Sequence, residues 1–169
     1  MLLDRQYTRL DAARKLVDDL IKAIPDEEEK RCAYVHLYGV GLMASLLALK
    51  RGFSRETAEL AGIAGMLHDL LTYVDSAADG TEHAHPCADF AKAQVLDRLD
   101  CLTGAEKALI YSGVYNHSDK GVVGSDFDEL IKDADCAQHA LRNPMEDFFF
   151  DHPRIRRVME ELTDAEQKG

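Results

Sequence analysis

Little in this chain is paired, basic or strand-like. Its four cysteines (Cys32, Cys87, Cys101 and Cys136) show no CxxC spacing, so reduced thiols buried in a core are the expectation. Positive charge is scarce. Lysine and arginine number 20 against 31 aspartates and glutamates, a formal net charge of −11. That balance disfavours a nucleic-acid duplex or an anionic membrane surface as partner, because both are polyanions. No basic-then-apolar leader opens the chain, and "MLLDRQYTRLD" is charged by its fourth residue. No apolar run approaches the roughly 20 residues that a bilayer span needs. The expected location is therefore cytoplasmic. Alternating β-branched runs are missing as well, which removes the signal for a sheet.

What is present is helix-forming. Apolar residues make up 46% and charged residues 30%, ordinary proportions for a globular protein. At 169 residues the chain is expected to form one domain, residues 1–169, with a sizeable core. A first helix is predicted over about 4–23, closed by Pro25, since the residue before proline is pushed out of helix. The run "PDEEEK" then opens a second helix, its acids matching the positive end of the helix dipole. That helix carries Ala33, His36, Val40, Met43 and Leu47 on one stripe and ends at Gly52. Ser54 is an N-cap for a third helix reaching His68. Gly62 and Gly65 inside it cost about 1 kcal/mol each relative to alanine, which points to another helix packed very close. Turn chemistry predicts a loop over 71–83. A fourth helix is predicted over about 86–99, and "TGAE" at 103–106 reads as a capping box for a fifth, to about Tyr115. After a loop, Ser125 caps a sixth helix through Leu141, and a last helix is predicted over 153–167. The fold class is all-α.

Ligand-type residues recur along the inner helices. His36 lies on the second, His68 and Asp69 end the third, and His83 and His85 precede the fourth. His117 follows the fifth, and Asp135 lies within the sixth on its apolar face. A carboxylate there costs several kcal/mol unless it is paired or binds a metal. Its neighbour Asp133 is expected to face solvent. His139 and His152 read as surface or packing residues, and the "DFFFD" run at 147–151 as a docking element for the C-terminal segment.

Taken in order, His36, His68–Asp69 and Asp135, in the contexts "YVHLYGV", "AGMLHDL" and "IKDADCA", resemble the H…HD…D signature of the HD-domain metalloprotein superfamily. The resemblance spans roughly residues 30–142. It implies a compact helical domain of the HD type around a buried metal site. Dinuclear members insert two histidines between "HD" and the last aspartate, and this chain offers His83 or His85, then His117. In relatives the first of these is usually followed, four and five residues on, by a small residue and alanine. Counting from His83 reaches Cys87 and Ala88, and from His85 Asp89 and Phe90, which favours His83 and keeps His85 as the alternative. One departure stands out: many HD hydrolases carry arginine three residues after the first histidine, and this chain has Gly39.

By that resemblance the metal ligands are His36, His68, Asp69, His83, His117 and Asp135. They would hold one or two divalent transition-metal ions (Fe, Mn, Co, Ni or Zn), with Asp69 placed to bridge two of them. The implied activity is hydrolysis of a small phosphate ester or anhydride, with nucleotides among the candidate substrates, through a metal-bound hydroxide. Lys120 could neutralise a phosphate oxygen as a point charge or stand as a solvated loop lysine. Asp119 and Arg142 are weaker candidates. A mixed-valent di-iron oxygenase of the same superfamily, or a non-enzymatic metal- or nucleotide-binding domain, are the alternatives.

Overall fold

The computed structural model describes residues 8–75, 83–142 and 152–163, and every regular element among them is helical. Eight α-helices follow one another: α1 (Arg9–Lys22), α2 (Glu27–Lys50), α3 (Arg55–Leu67), α4 (Leu70–Val74), α5 (Ala84–Gln94), α6 (Gly104–Asn116), α7 (Asp126–Arg142) and α8 (Pro153–Thr163). Their starts are set by local chemistry. Thr8 and Asp11 form a capping box at α1, as do Thr103 and Glu106 at α6. Asp26 accepts from the Glu29 amide at α2, and Ser54 from the Thr57 amide at α3, each satisfying an amide that the helix itself leaves unbonded.

Three expectations need adjusting. The fourth predicted helix starts two residues early, at Ala84, and α5 stops at Gln94. Val95 leaves helical backbone at φ −125°, ψ −62°, and a 3-10 turn over Leu96–Arg98 follows. The tighter turn lets Val95, Leu96 and Leu99 all enter the core. The loop predicted over 71–83 begins instead as the short helix α4. By length and hydropathy α2 also passes for a membrane span, against the expectation that no run does. Its apolar stripe serves the core: Leu37, Val40, Ala44, Leu47 and Ala48 are fully buried. The N-terminal extension to residue 4, the "DFFFD" run and the end of the last predicted helix lie outside the described residues.

The core gathers around α3, which packs on α2, α1, α6, α7 and α5 and is buried from Leu60 to Leu67. Glycine makes its approach to α2 possible. A Cβ on Gly65 would fall 2.7 Å from the Gly41 Cα, and one on Gly41 would fall 2.8 Å from the Gly62 carbonyl oxygen. Backbone therefore meets backbone at this crossing, and the residues carried by α2 and α3 are brought unusually near one another.

α7 is buried around most of its circumference, between α2, α6 and α3 on one side and α8 on the other. This overturns the solvated reading of Asp133. Its carboxylate is 2% exposed and takes ion pairs from Arg154 (2.6 Å), Arg51 (2.7 Å) and Arg157 (2.7 Å). Two positions apart on a helix places Asp133 and Asp135 on different faces, and here both faces are covered. The cysteines also divide differently from expectation. Cys87 and Cys136 are buried, Cys32 is half-buried and Cys101 is exposed, because Cys101 falls in the turn before α6.

Candidate metal centre

Four helix ends and two helix faces aim imidazoles and carboxylates at one point. His36 comes from the middle of α2 and Asp135 from the middle of α7. His68 is the C-cap of α3 and His117 the C-cap of α6, and a helix C-terminus carries negative dipole charge that favours a cation. Asp69 occupies the N-cap position of α4, yet its side chain makes no capping bond. An aspartate that leaves its own helix uncapped has been committed elsewhere.

The Asp69 carboxylate is divided between two histidine pairs. Its Oδ2 lies 3.2 Å from His68 Nε2 and 3.5 Å from His36 Nε2. Its Oδ1 lies 3.0 Å from His117 Nε2 and 3.1 Å from His83 Nε2. Asp135 Oδ1 faces the first pair, 3.4 Å from His68 Nε2 and 3.7 Å from His36 Nε2. Among the described residues three sets of donors lie close enough each to hold an ion, His36–His68–Asp69, Asp69–His83–His117 and His36–Asp135–His139, with Asp69 common to the first two.

The far side of each ring fixes its orientation. His68 Nδ1 donates to the Gly65 carbonyl (2.8 Å), His117 Nδ1 to the Val114 carbonyl (2.7 Å), and His36 Nδ1 to Gln138 Oε1 (2.7 Å). A proton held on Nδ1 leaves the Nε2 lone pair pointing inward, the arrangement that metal-binding histidines use. Inside, four buried atoms have no hydrogen-bond partner: His36 Nε2, His68 Nε2, Asp69 Oδ1 and Asp135 Oδ1. Each orphan of this kind costs about 1–3 kcal/mol. Four converging on one point fit a cation that would satisfy them together, and the nitrogen and oxygen donors suit a divalent transition metal.

Electrostatics follow from this crowding. Burial pushes the pKa of His36 and of His117 down, holding both neutral. Burial opposes the ionisation of Asp69 and Asp135 too, but His68 and the other imidazoles hold Asp69 well below the usual carboxylate range, and Lys120 leads the groups that do so for Asp135. His68 is pulled the other way. Burial would lower it, yet Asp69 and Asp135 together raise it to about 10. Without metal, the proton on His68 balances charge that a cation would otherwise balance.

Of the two histidines left open by sequence, His83 joins the cluster, whereas His85 is exposed and stacks on Tyr115 with centroids 3.7 Å apart. Lys120 is no free loop lysine. Its Nζ donates to Asp135 Oδ2 and to the His117 carbonyl, both at 2.6 Å. Asp119 is exposed, and His152 is exposed with its Nδ1 accepting from the Arg154 amide. Of the surface and packing readings for His139, packing is the one it meets. It sits one turn after Asp135 with Nε2 3.3 Å from Asp135 Oδ1, and its ring centroid is 4.7 Å from that of His36.

Gln138 is the residue that sequence reasoning missed. It fixes the His36 ring and lies against Gly39, where a Cβ would come within 2.9 Å of the Gln138 Cγ and Nε2. Gly39, the departure from the HD pattern, is thus the space that Gln138 fills. The signal was present only as a pair, a glycine three residues after one histidine and a glutamine three after an aspartate, and nothing along the chain links them. Compared with family models, curated proteins and solved structures, the chain matches none, so what the site is rests on its own geometry.

Proposed function

We propose that the protein is a metal-dependent phosphohydrolase of the HD type acting on a small phosphate ester or anhydride. The observation that carries this reading is the Asp69 carboxylate, with one oxygen toward His36 and His68 and the other toward His83 and His117. One or two divalent ions bound there would activate water and polarise a phosphoryl group. The chain's own residues do the rest. His36, His68 and Asp135 would hold one ion and His83 and His117 a second, with Asp69 available to both. Lys120 orients Asp135 and offsets its charge. His139 stands at the more open side, 31% exposed, where a substrate would approach.

Protein loaded with Mn²⁺, Fe²⁺, Co²⁺ or Ni²⁺ should release phosphate or a monophosphate from a member of a phosphate-ester and nucleotide panel. Asp69→Ala should lose metal and activity together. A metal-loaded wild type that cleaves nothing, with an alanine variant that still binds its full complement of metal, refutes the reading. Oxygen uptake by the iron-loaded protein with a substrate would favour the oxygenase alternative instead.

A further inference from the structure

Beside the histidine cluster lies a second feature. A cavity of about 480 Å³ is lined by Arg31, Cys32, Val35, Tyr73 and Arg142. It continues from the metal-facing stripes of two helices. On α7, Asp135, His139 and Arg142 follow at i, i+4 and i+7, one face of the helix. On α2, Cys32 sits one turn before His36. Tyr73 joins the two regions, its ring 6.1 Å from that of His36 and its side chain lining the cavity beside Arg142.

Among the described residues that line this cavity, the charge runs against that of the protein. The chain carries a net charge of −11, yet none of the five lining residues is acidic and two are arginines. Arg142 forms no ion pair among the described residues. Among the described residues Arg31 pairs with Glu28 alone, and both partners are more than 60% exposed, so that pair is easily exchanged for a ligand. Seven residues of helix separate Arg142 from Asp135, an axial rise of about 10 Å. The volume suits the body of a small molecule.

We propose that this cavity is a second anion subsite, which makes the substrate a molecule with two anionic groups. Resting on the phosphohydrolase reading, one phosphate lies at the histidine–aspartate cluster. A second phosphate or carboxylate, about 10 Å away by the helical rise, is held between Arg142 and Arg31. Guanidinium recognises either group through paired N–H donors, and Tyr73 forms the wall between the two sites.

The test is calorimetric binding to the full-length, manganese-loaded protein, using two probes that cannot be hydrolysed, hexylphosphonate and hexane-1,6-diphosphonate. The wild type should bind the diphosphonate about tenfold more tightly, the worth of one charge-assisted contact. In Arg142→Ala or Arg142→Gln that preference should fall to the roughly twofold statistical advantage of a ligand with two equivalent ends. Arg31→Ala should reduce it in part. Circular dichroism and metal content of each variant exclude misfolding as the cause. Measuring hexane-1-phosphonate-6-carboxylate alongside shows whether a phosphate or a carboxylate is preferred. Monophosphonate binding with no preference for the diphosphonate overturns the subsite and leaves the hydrolase reading intact. Equal weakening of both probes by Arg142→Ala also overturns it. Failure of metal-replete wild type to bind either probe overturns both readings.

Discussion

Replacing Gln138 with leucine isolates one hydrogen bond behind the metal centre. Leucine keeps a branched side chain over Gly39 but removes the oxygen that accepts from His36 Nδ1 at 2.7 Å. Gln138 is 8% exposed and His36 1%, so solvent cannot replace the lost acceptor. Leaving a buried N–H unsatisfied costs about 1–3 kcal/mol of stability in the metal-free protein. Freeing the ring to turn, or to move its proton to Nε2, should weaken metal binding 10- to 100-fold, about 1.4–2.7 kcal/mol. Competition with a chromophoric chelator measures the affinity, and thermal unfolding of the chelated protein measures stability separately. Gln138→Glu is the control, since its carboxylate accepts the same proton and should restore affinity to the wild-type level or above. A folded leucine variant that binds metal as tightly as wild type would refute the claim that Gln138 orients His36. So would a glutamate variant that falls as far as the leucine one.

Three further outcomes are expected. Gly65→Ala should destabilise by about 1–3 kcal/mol through overpacking, because its Cβ meets the Gly41 backbone at 2.7 Å, and the shift of α3 should also weaken metal binding; urea titration with and without metal checks both. Asp133→Ala should cost about 1–3 kcal/mol, since it removes the buried carboxylate shared by Arg154, Arg51 and Arg157 while Arg154 keeps Glu129 and Arg51 keeps Glu161; melting temperature reads it. Metal uptake near pH 8 should release a proton from His68, whose pKa is raised to about 10, visible as a dependence of calorimetric heat on buffer ionisation enthalpy. The stability that His68 gives the metal-free protein is fully present below its unfolded pKa of about 6.5 and declines as pH rises through about 10. Metal-loaded protein should not show that decline.

Sequence located the clustered histidines and carboxylates better than what supports them. His36 and Asp135 each sit where helical periodicity turns inward, so their faces could be read from apolar neighbours at i±3 and i±4, whereas His68 and Asp69, at the end of α3, were picked out by the HD pattern. Capping chemistry at Ser54 and Thr103 located two helix starts for the same local reason. Asp133 was misread because a wheel gives direction but not what covers it, and α8 covers the second face of α7. The choice between His83 and His85 depends on how the chain enters α5, which lies at the end of a segment without periodicity. Gln138 and Gly39 are far apart along the chain, and their fit exists only where α2 meets α7.

Two of the clustered histidines take their support from their own helices. His68 and His117 each donate to a carbonyl three residues earlier, Gly65 and Val114, so turning either ring breaks a hydrogen bond to the last turn of α3 or α6. The cluster is therefore largely assembled without an ion, and an ion bound there could depart without the cradle collapsing. If the cluster holds an ion, as proposed, a protein built this way could exchange it while folded, and the ion would follow the supply around it more than the history of its synthesis.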